Sequence, residues 1–289
     1  DLSTEVSGVL SGVGGALVKV GEGALTLSGA NTYTGVTQII DGALIVNGSI
    51  ASSSVVAVNL GATLGGDGIV GTMVVGDGGT VAPGNSIGTT TINGNLSGSG
   101  TLEIEVDGDT SSTPSADKLI VNGAVDVSAM TLDLVLSPTS VANWSYGPTG
   151  PFTIIENDGS DAVTAPFATV TDNLTFLDAS LNYKAGTGND VALTLLRNDI
   201  DMVSTAQTFN QAQVAAAIES LGNTNPVYLA VVTTVSDEAA AQVAFDSLSG
   251  EINATLRSVL VSDSHQTRDA ALSRLQGRDT SGQNLWGFA

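Results

Sequence analysis

Gly23-Ala-Leu25 returns along the chain as Gly42-Ala-Leu44, Gly61-Ala-Thr-Leu64, Gly79-Thr-Val81 and Gly100-Thr-Leu102. The spacing is about 17 to 21 residues, the length of one coil of a β-solenoid. A unit this short cannot bury an apolar face alone, so its copies must stack along one axis, each sealing the last. The repeat sets the architecture ahead of any local motif. Function then lies in length and surface as readily as in a pocket.

Composition suits such an interior. Apolar residues make up 42% of the 289, aromatics only 4%, and 35 residues are glycine. A narrow core of Val, Ile, Leu and Ala with glycine at its corners fits these values better than an ordinary globular enzyme does. Net charge is -21, from 29 acids against 8 bases. Phosphate binding needs clustered Lys and Arg, so nucleic acid is excluded as a partner. There is no cysteine, hence no disulfide, thiol chemistry or Cys-ligated zinc. Lacking disulfide loops, the chain stays thin when unfolded, which suits passage through a narrow pore. No apolar run reaches the ~18 residues of a membrane-spanning helix. No signal peptide is visible at Asp1, and the chain reads as an excerpt of a longer protein.

Residues 1–106 alternate short β-branched segments with Gly, Asn and Asp, the pattern of strands between turns. Thr37–Ile40, Leu44–Val46, Ser54–Val58, Met73–Val75 and Thr89–Ile92 are predicted strands. In Thr101–Val106, Leu102, Ile104 and Val106 share one face; Glu103 and Glu105 share the other. Asn47, Asn59 and Asn93 sit at strand ends, where asparagine takes left-handed backbone or stacks in ladders. Over residues 107–198 the pattern stays β-like while the period fades. Strands are predicted at Lys118–Val121, Met130–Leu136, Phe152–Ile155, Leu174–Phe176 and Val191–Leu196. The large side chains gather here (Trp144, Tyr146, Phe152, Phe167, Phe176, Tyr183), as expected of a cap over the open end of a solenoid.

From residue 199 the period turns to 3.6. Thr208 caps a helix carrying Val214, Ile218 and Leu221 and ending at Gly222. Pro226 opens a second apolar stretch. Ser236-Asp-Glu238 starts a helix with Ala241, Phe245 and Leu248 that ends near Gly250. A further helix is expected from Glu251, carrying Ile252, Leu256, Val259 and Leu260. Residues 263–289 begin as an all-polar helix, which must be solvated or enclosed by a polar lumen. They end in Asn284–Ala289, the start of a strand.

Gly21-Glu-Gly-Ala-Leu-Thr-Leu-Ser-Gly-Ala-Asn-Thr-Tyr-Thr-Gly35 resembles the passenger-associated transport repeat of bacterial autotransporters. Leu64-Gly-Gly-Asp-Gly-Ile-Val70 and Val81-Ala-Pro-Gly-Asn-Ser-Ile-Gly88 extend the likeness. Leu248–Leu260 resembles the linker ahead of the outer-membrane barrel. Arg268–Leu275 with Trp286-Gly287 looks like the pore helix and first barrel strand. The resemblance implies a passenger that crosses the outer membrane unfolded and folds outside, C-terminal coils first. It implies as partners the protein's own C-terminal outer-membrane β-barrel, the barrel assembly machinery and periplasmic chaperones. It also implies a place at the Gram-negative cell surface or beyond it, and leaves the surface ligand open.

Local motifs weigh little against this. Gly84-Asn-Ser-Ile-Gly88 has the letters of a nucleophile elbow, which needs a strand-to-helix turn and a nearby His. A strand follows it, and the one histidine, His265, is far along the chain. Glu103 and Glu105 could serve glycoside hydrolysis only by flanking a bound sugar; a solvated strand face is the plainer reading. Asp107-Gly-Asp109 and Gly65-Gly-Asp67-Gly68 suggest calcium but lack its loop spacing. His265 alone cannot hold zinc. Asn253 could cleave the chain by cyclisation.

The fold class expected is therefore mainly β: a right-handed parallel β-solenoid (β-helix) over 1–106, a β-rich cap over 107–198, a short α-helical linker over 199–262, and a pore helix with the start of a barrel strand over 263–289. The expected function is a non-enzymatic secretion and folding module, with no catalytic, cofactor-binding or metal-binding residues. The alternatives are a stand-alone adhesive or structural fibre, and a solenoid enzyme acting on polysaccharide.

Overall fold

A computed structural model describes residues 2–107, 116–136, 151–163, 165–250 and 268–269. Its strands are β1 (Thr4–Val6), β2 (Leu17–Lys19), β3 (Ala24–Leu27), β4 (Thr37–Ile39), β5 (Gly42–Val46), β6 (Ser49–Ile50) and β7 (Val56–Val58). There follow β8 (Ala62–Gly66), β9 (Ile69–Val70), β10 (Met73–Val75), β11 (Thr80–Pro83), β12 (Thr89–Ile92), β13 (Leu96–Gly98) and β14 (Thr101–Val106). The last are β15 (Lys118–Val121), β16 (Thr131–Leu136), β17 (Phe152–Asn157), β18 (Thr169–Asp172), β19 (Leu177–Ala185) and β20 (Asp190–Arg197).

They form three sheets. The eight-stranded sheet runs β1-β3-β5-β8-β11-β14-β16-β18, the seven-stranded sheet β6-β9-β12-β15-β17-β20-β19, and the five-stranded sheet β2-β4-β7-β10-β13. Each coil visits the three in turn, as in β5, β6, β7 and again in β8, β9, β10. Pairing is parallel throughout the coils. The expected parallel β-solenoid is what the chain forms.

The repeat works through register. Leu25, Leu44, Leu64, Val81, Leu102 and Leu132 stand directly above one another in the eight-stranded sheet. From Leu44 onward each is at most 1% exposed. Strands lie about 4.8 Å apart, so neighbouring leucines touch along the whole column. Full burial of each side chain contributes about 1.5–3 kcal/mol. One corner is equally strict. A Cβ on Gly48 would collide with the carbonyl oxygen of Gly29, and one on Gly68 with that of Gly48. Backbone stacks on backbone there, and only glycine leaves room.

Past Val106 the repeat is lost to the eye, but the ladder is not lost. β14 pairs with β16 and β16 with β18 in parallel, through Asp172. The connections at 107–117 and 137–151 stretch the sequence period while the register holds. Parallel order stops where β17 meets β20, which in turn pairs antiparallel with β19. Phe152, Phe167 and Phe176 are buried at this end, and Tyr183 packs against them; Trp144 and Tyr146 lie outside the described residues.

One local expectation is corrected, and one open alternative is settled. Leu174–Phe176 is not a strand but the crossing from β18 to β19, where Leu174 N–H bonds the Asp172 carboxylate at 3.2 Å. Both apolar side chains turn inward, so alternation there marks a bend that faces the core. No described residue other than glycine has a left-handed backbone, so Asn47 serves as a ladder member instead. Its Oδ1 accepts from Asn85 Nδ2 at 2.9 Å.

The helices follow their caps. Thr208 and Gln211 form a reciprocal capping box on α1 (Phe209–Leu221). Asn225 caps α2 (Pro226–Thr234) and Asp237 caps α3 (Glu238–Ser249), which ends at left-handed Gly250. The buried side of α1 is Gln211, Ala215 and Ile218, not the predicted Val214–Ile218–Leu221 stripe. Gln211 is drawn in by its cap bonds and by Asp246, 2.9 Å away. The helix expected from Glu251 and the polar helix beyond it lie outside the described residues, save Arg268 and Asp269.

Candidate functional site

The two motifs Leu64–Val70 and Val81–Gly88 meet in space. Gly66 and Gly84 exchange backbone hydrogen bonds of 2.7 and 3.1 Å. Asp67 then grips the turn: Oδ1 accepts from Thr89 N–H at 3.0 Å and Oδ2 from Asn85 Nδ2 at 2.8 Å. A second carboxylate holds it from the next coil. Asp117 accepts from Gly88 N–H and from Glu105 N–H, each at 2.8 Å. Gly84 has φ +87°, and a Cβ there would strike Ser86 O.

Asp117 is 1% exposed. Burial pushes its pKa up to about 7; the two N–H groups oppose this, and the charges of Glu105 and Glu103 add to it. A carboxyl that keeps its proton near neutrality is what general acids use. Here both oxygens are spent on backbone donors, and the group is closed to solvent. Its work is to tie the Gly84–Gly88 turn to strand β14. The sequence analysis missed it, although an aspartate just ahead of a strand, a coil away from Gly88, was the signal available.

The other candidates fall apart as sites. Gly84–Gly88 joins β11 to β12 without a helix, so Ser86 lacks the elbow geometry. Glu103 and Glu105 project from one strand on one face and cannot flank a sugar between them. Glu103 sits opposite Asp133. Its pKa is raised by burial first, then by Asp133 and Glu105. Asp107 is buried; Asp109, Asn253 and His265 lie outside the described residues. Among the described residues no three His, Cys, Asp or Glu side chains converge to hold a metal.

Arg197 is a further junction that sequence reading passed over. Its guanidinium lies 5.2 Å from the Phe176 ring centroid. It donates to Phe176 O at 3.2 Å, Ile200 O at 2.7 Å and Tyr228 OH at 3.2 Å. It also pairs with Glu219 at 3.3 Å. One side chain thus ties the antiparallel end of the solenoid to α1 and α2.

A three-sided parallel stack ending in an antiparallel clasp is the architecture expected of an autotransporter passenger, and the comparisons agree. Residues 17–46 match the passenger-associated-transport-repeat family. The chain is 31% identical over 94% of its length to an extracellular serine protease of Serratia marcescens, covering 30% of that protein. A second protein of that name and organism is 28% identical over 92% of the chain, covering 29% of its own length. The adhesin BmaC autotransporter of Brucella suis biovar 1 (strain 1330) is 39% identical over 29% of the chain and 2% of its own length. The chain therefore spans less than a third of the relatives it matches. The resemblance to autotransporter passengers stands, and so does the expected place at the cell surface or outside the cell. The expectation of a protein without enzymatic activity is overturned: the two relatives aligned over nearly the whole chain are named serine proteases.

Proposed function

We propose that this chain is the folding stem of a surface autotransporter passenger. Residues 1–106 form its coils, and residues 107–198 a cap that folds first outside the outer membrane. Residues 199–262 link it to a C-terminal β-barrel, and 263–289 enter that barrel. The observation that carries this reading is the change from parallel coils to the antiparallel β17-β20-β19 end. A hairpin is local in sequence and closes fast, whereas a parallel coil needs a template already in place. Once the hairpin stands, each coil adds to the edge before it, and folding outside opposes return through the pore. The barrel assembly machinery and periplasmic chaperones would deliver such a chain.

The test is display of the complete protein. Deleting residues 107–198 should leave the passenger inside the cell while the barrel still inserts. Proteinase K accessibility on intact cells reads the outcome, and undiminished display overturns the proposal. The relatives' names support a second element: the complete protein is an extracellular serine protease whose active region this stem presents. A fluorophosphonate probe should label the complete protein; no labelling would reject that element.

A further inference from the structure

The sequence holds three Asn-Gly pairs: Asn47-Gly48, Asn93-Gly94 and Asn122-Gly123. Asparagine is a chemically labile residue, and glycine is the least hindered residue that can follow it, because no Cβ shields the glycine nitrogen. That nitrogen can attack the side-chain carbonyl of the asparagine before it. A new N–Cγ bond closes a five-membered imide while the N–H proton is lost. The Cγ–Nδ2 bond breaks, Nδ2 takes up a proton, and ammonia leaves. Water then opens the imide at either carbonyl. One opening gives aspartate. The other gives isoaspartate, in which the main chain runs through the former side chain. The first step has two conditions. The side chain must be free to swing onto the nitrogen, and the glycine N–H must not be held by an acceptor.

All three asparagines are exposed, so water reaches each, and hydrogen bonding separates them. Asn47 is pinned: its Oδ1 accepts from Asn85 Nδ2 at 2.9 Å, and Gly48 N–H donates to Leu27 O at 2.9 Å. Asn93 and Asn122 stand at a different corner, where the chain turns from the seven-stranded to the five-stranded sheet. Ile92 pairs with Val121, so Asn122 sits one coil beyond Asn93 in the same column. The main chain of both is anchored. Asn93 N–H donates to Val70 O at 2.8 Å, and Asn122 N–H to Ile92 O at 2.9 Å. Their side chains make no hydrogen bond among the described residues, and neither do Gly94 N–H and Gly123 N–H. Nearby Asn95 differs: its Oδ1 accepts from Ala124 N–H at 3.0 Å.

We propose that Asn93 and Asn122 are sites of spontaneous deamidation in the folded stem, and that the fold spares Asn47. Each event adds one negative charge, so two take the net charge from -21 to -23. Isoaspartate also lengthens the main chain by one methylene, at a corner without slack. A Cβ on Gly123 would lie 2.8 Å from Gly94 O, and one on Gly94 would strike Thr72. β13 begins three residues past Asn93, at Leu96, which pairs with Met73 of β10 on one side and with Val125 on the other. A longer corner moves Leu96 out of that register. Ageing therefore loosens the five-stranded sheet at the end nearest the cap.

Peptide mapping of the whole chain tests this. The folded protein is held in mildly alkaline buffer, sampled over weeks and digested with pepsin at acid pH, which halts the reaction. Mass spectrometry locates the one-unit mass gain from amide to acid, and electron-transfer fragmentation separates isoaspartate from aspartate. Asn93 and Asn122 should convert at least about tenfold faster than Asn47, which must first release two hydrogen bonds. In urea the three should react at similar rates. Conversion of Asn93 and Asn122 as slow as that of Asn47 in the folded chain overturns the proposal. A rate order that persists in urea does so too, since the fold would then play no part. The Asn93→Gln/Asn122→Gln double variant keeps both exposed amides but cannot close a five-membered ring. On ageing, the wild type should lose hydrogen-exchange protection in β13 and the variant should keep it; equal loss in both would overturn the effect on register.

Discussion

Replacing Asp117 with asparagine should flatten the pH dependence of stability between about pH 4 and pH 7. In the folded chain the carboxyl titrates at about 7, against an ordinary value of 3.8. Across that window the folded state keeps a proton that the unfolded state has released. Stability contributed by this group therefore falls as pH rises, at up to about 1.4 kcal/mol per pH unit, and levels off above about 7. The total is on the order of 4 kcal/mol. This sign is opposite to that of a salt-bridged carboxylate. Asparagine keeps one acceptor for Gly88 or Glu105 but points an NH₂ at the other N–H, which costs about 1–3 kcal/mol. That cost does not titrate. The variant should start below the wild type at acid pH, cross it as pH rises, and lie above it beyond about pH 7, where the wild type has lost more than the substitution costs. Urea midpoints from far-UV circular dichroism, taken from about pH 4.5 to 8, follow both curves. Parallel curves for wild type and variant would refute a protonated Asp117.

Three further outcomes are expected. Leu64→Ala opens a hole in the middle of the leucine column and should cost about 2–5 kcal/mol, read from urea midpoints. Gly48→Ala drives a methyl into the Gly29 carbonyl; hydrogen exchange should show lost protection in β3, β5 and β6, with β15 to β17 unaffected. Arg197→Ala removes the tie to Tyr228 and Glu219, so exchange should quicken in α1 and α2 while the coils hold; equal protection would show that the helices dock without it.

Glycine spacing and β-branched runs made the coils legible, because each coil buries the same positions against the same neighbours. Helix ends were legible for a similar reason: Thr208, Pro226, Asp237 and Gly250 act locally, within a turn of where they stand. Long-range pairing was not. The ladder through β16 and β18 went unread because long connections at 107–117 and 137–151 hide a register that only the backbone keeps. Leu177–Ala185, the longest strand among the described residues, was passed over because its pattern follows a bend and depends on β20 for its place. Asp117 and Arg197 draw their importance from partners 12 to 31 residues away, and no window along the sequence contains both ends. Gln211 is polar, and only its contact with Asp246 takes it inside.

The corner between the eight- and seven-stranded sheets is crossed by residues 47–48 after β5, 67–68 after β8 and 84–88 after β11, while residues 107–117 separate β14 from β15 and residues 137–151 separate β16 from β17 in the sequence. The strands on either side keep their pairing whatever the crossing holds. Loop closure grows so slowly with length, about 0.6 kcal/mol per doubling, that this edge tolerates new segments almost freely. It is a graft point: evolution, or an engineer, can hang a foreign module on it without rewriting the stack beneath.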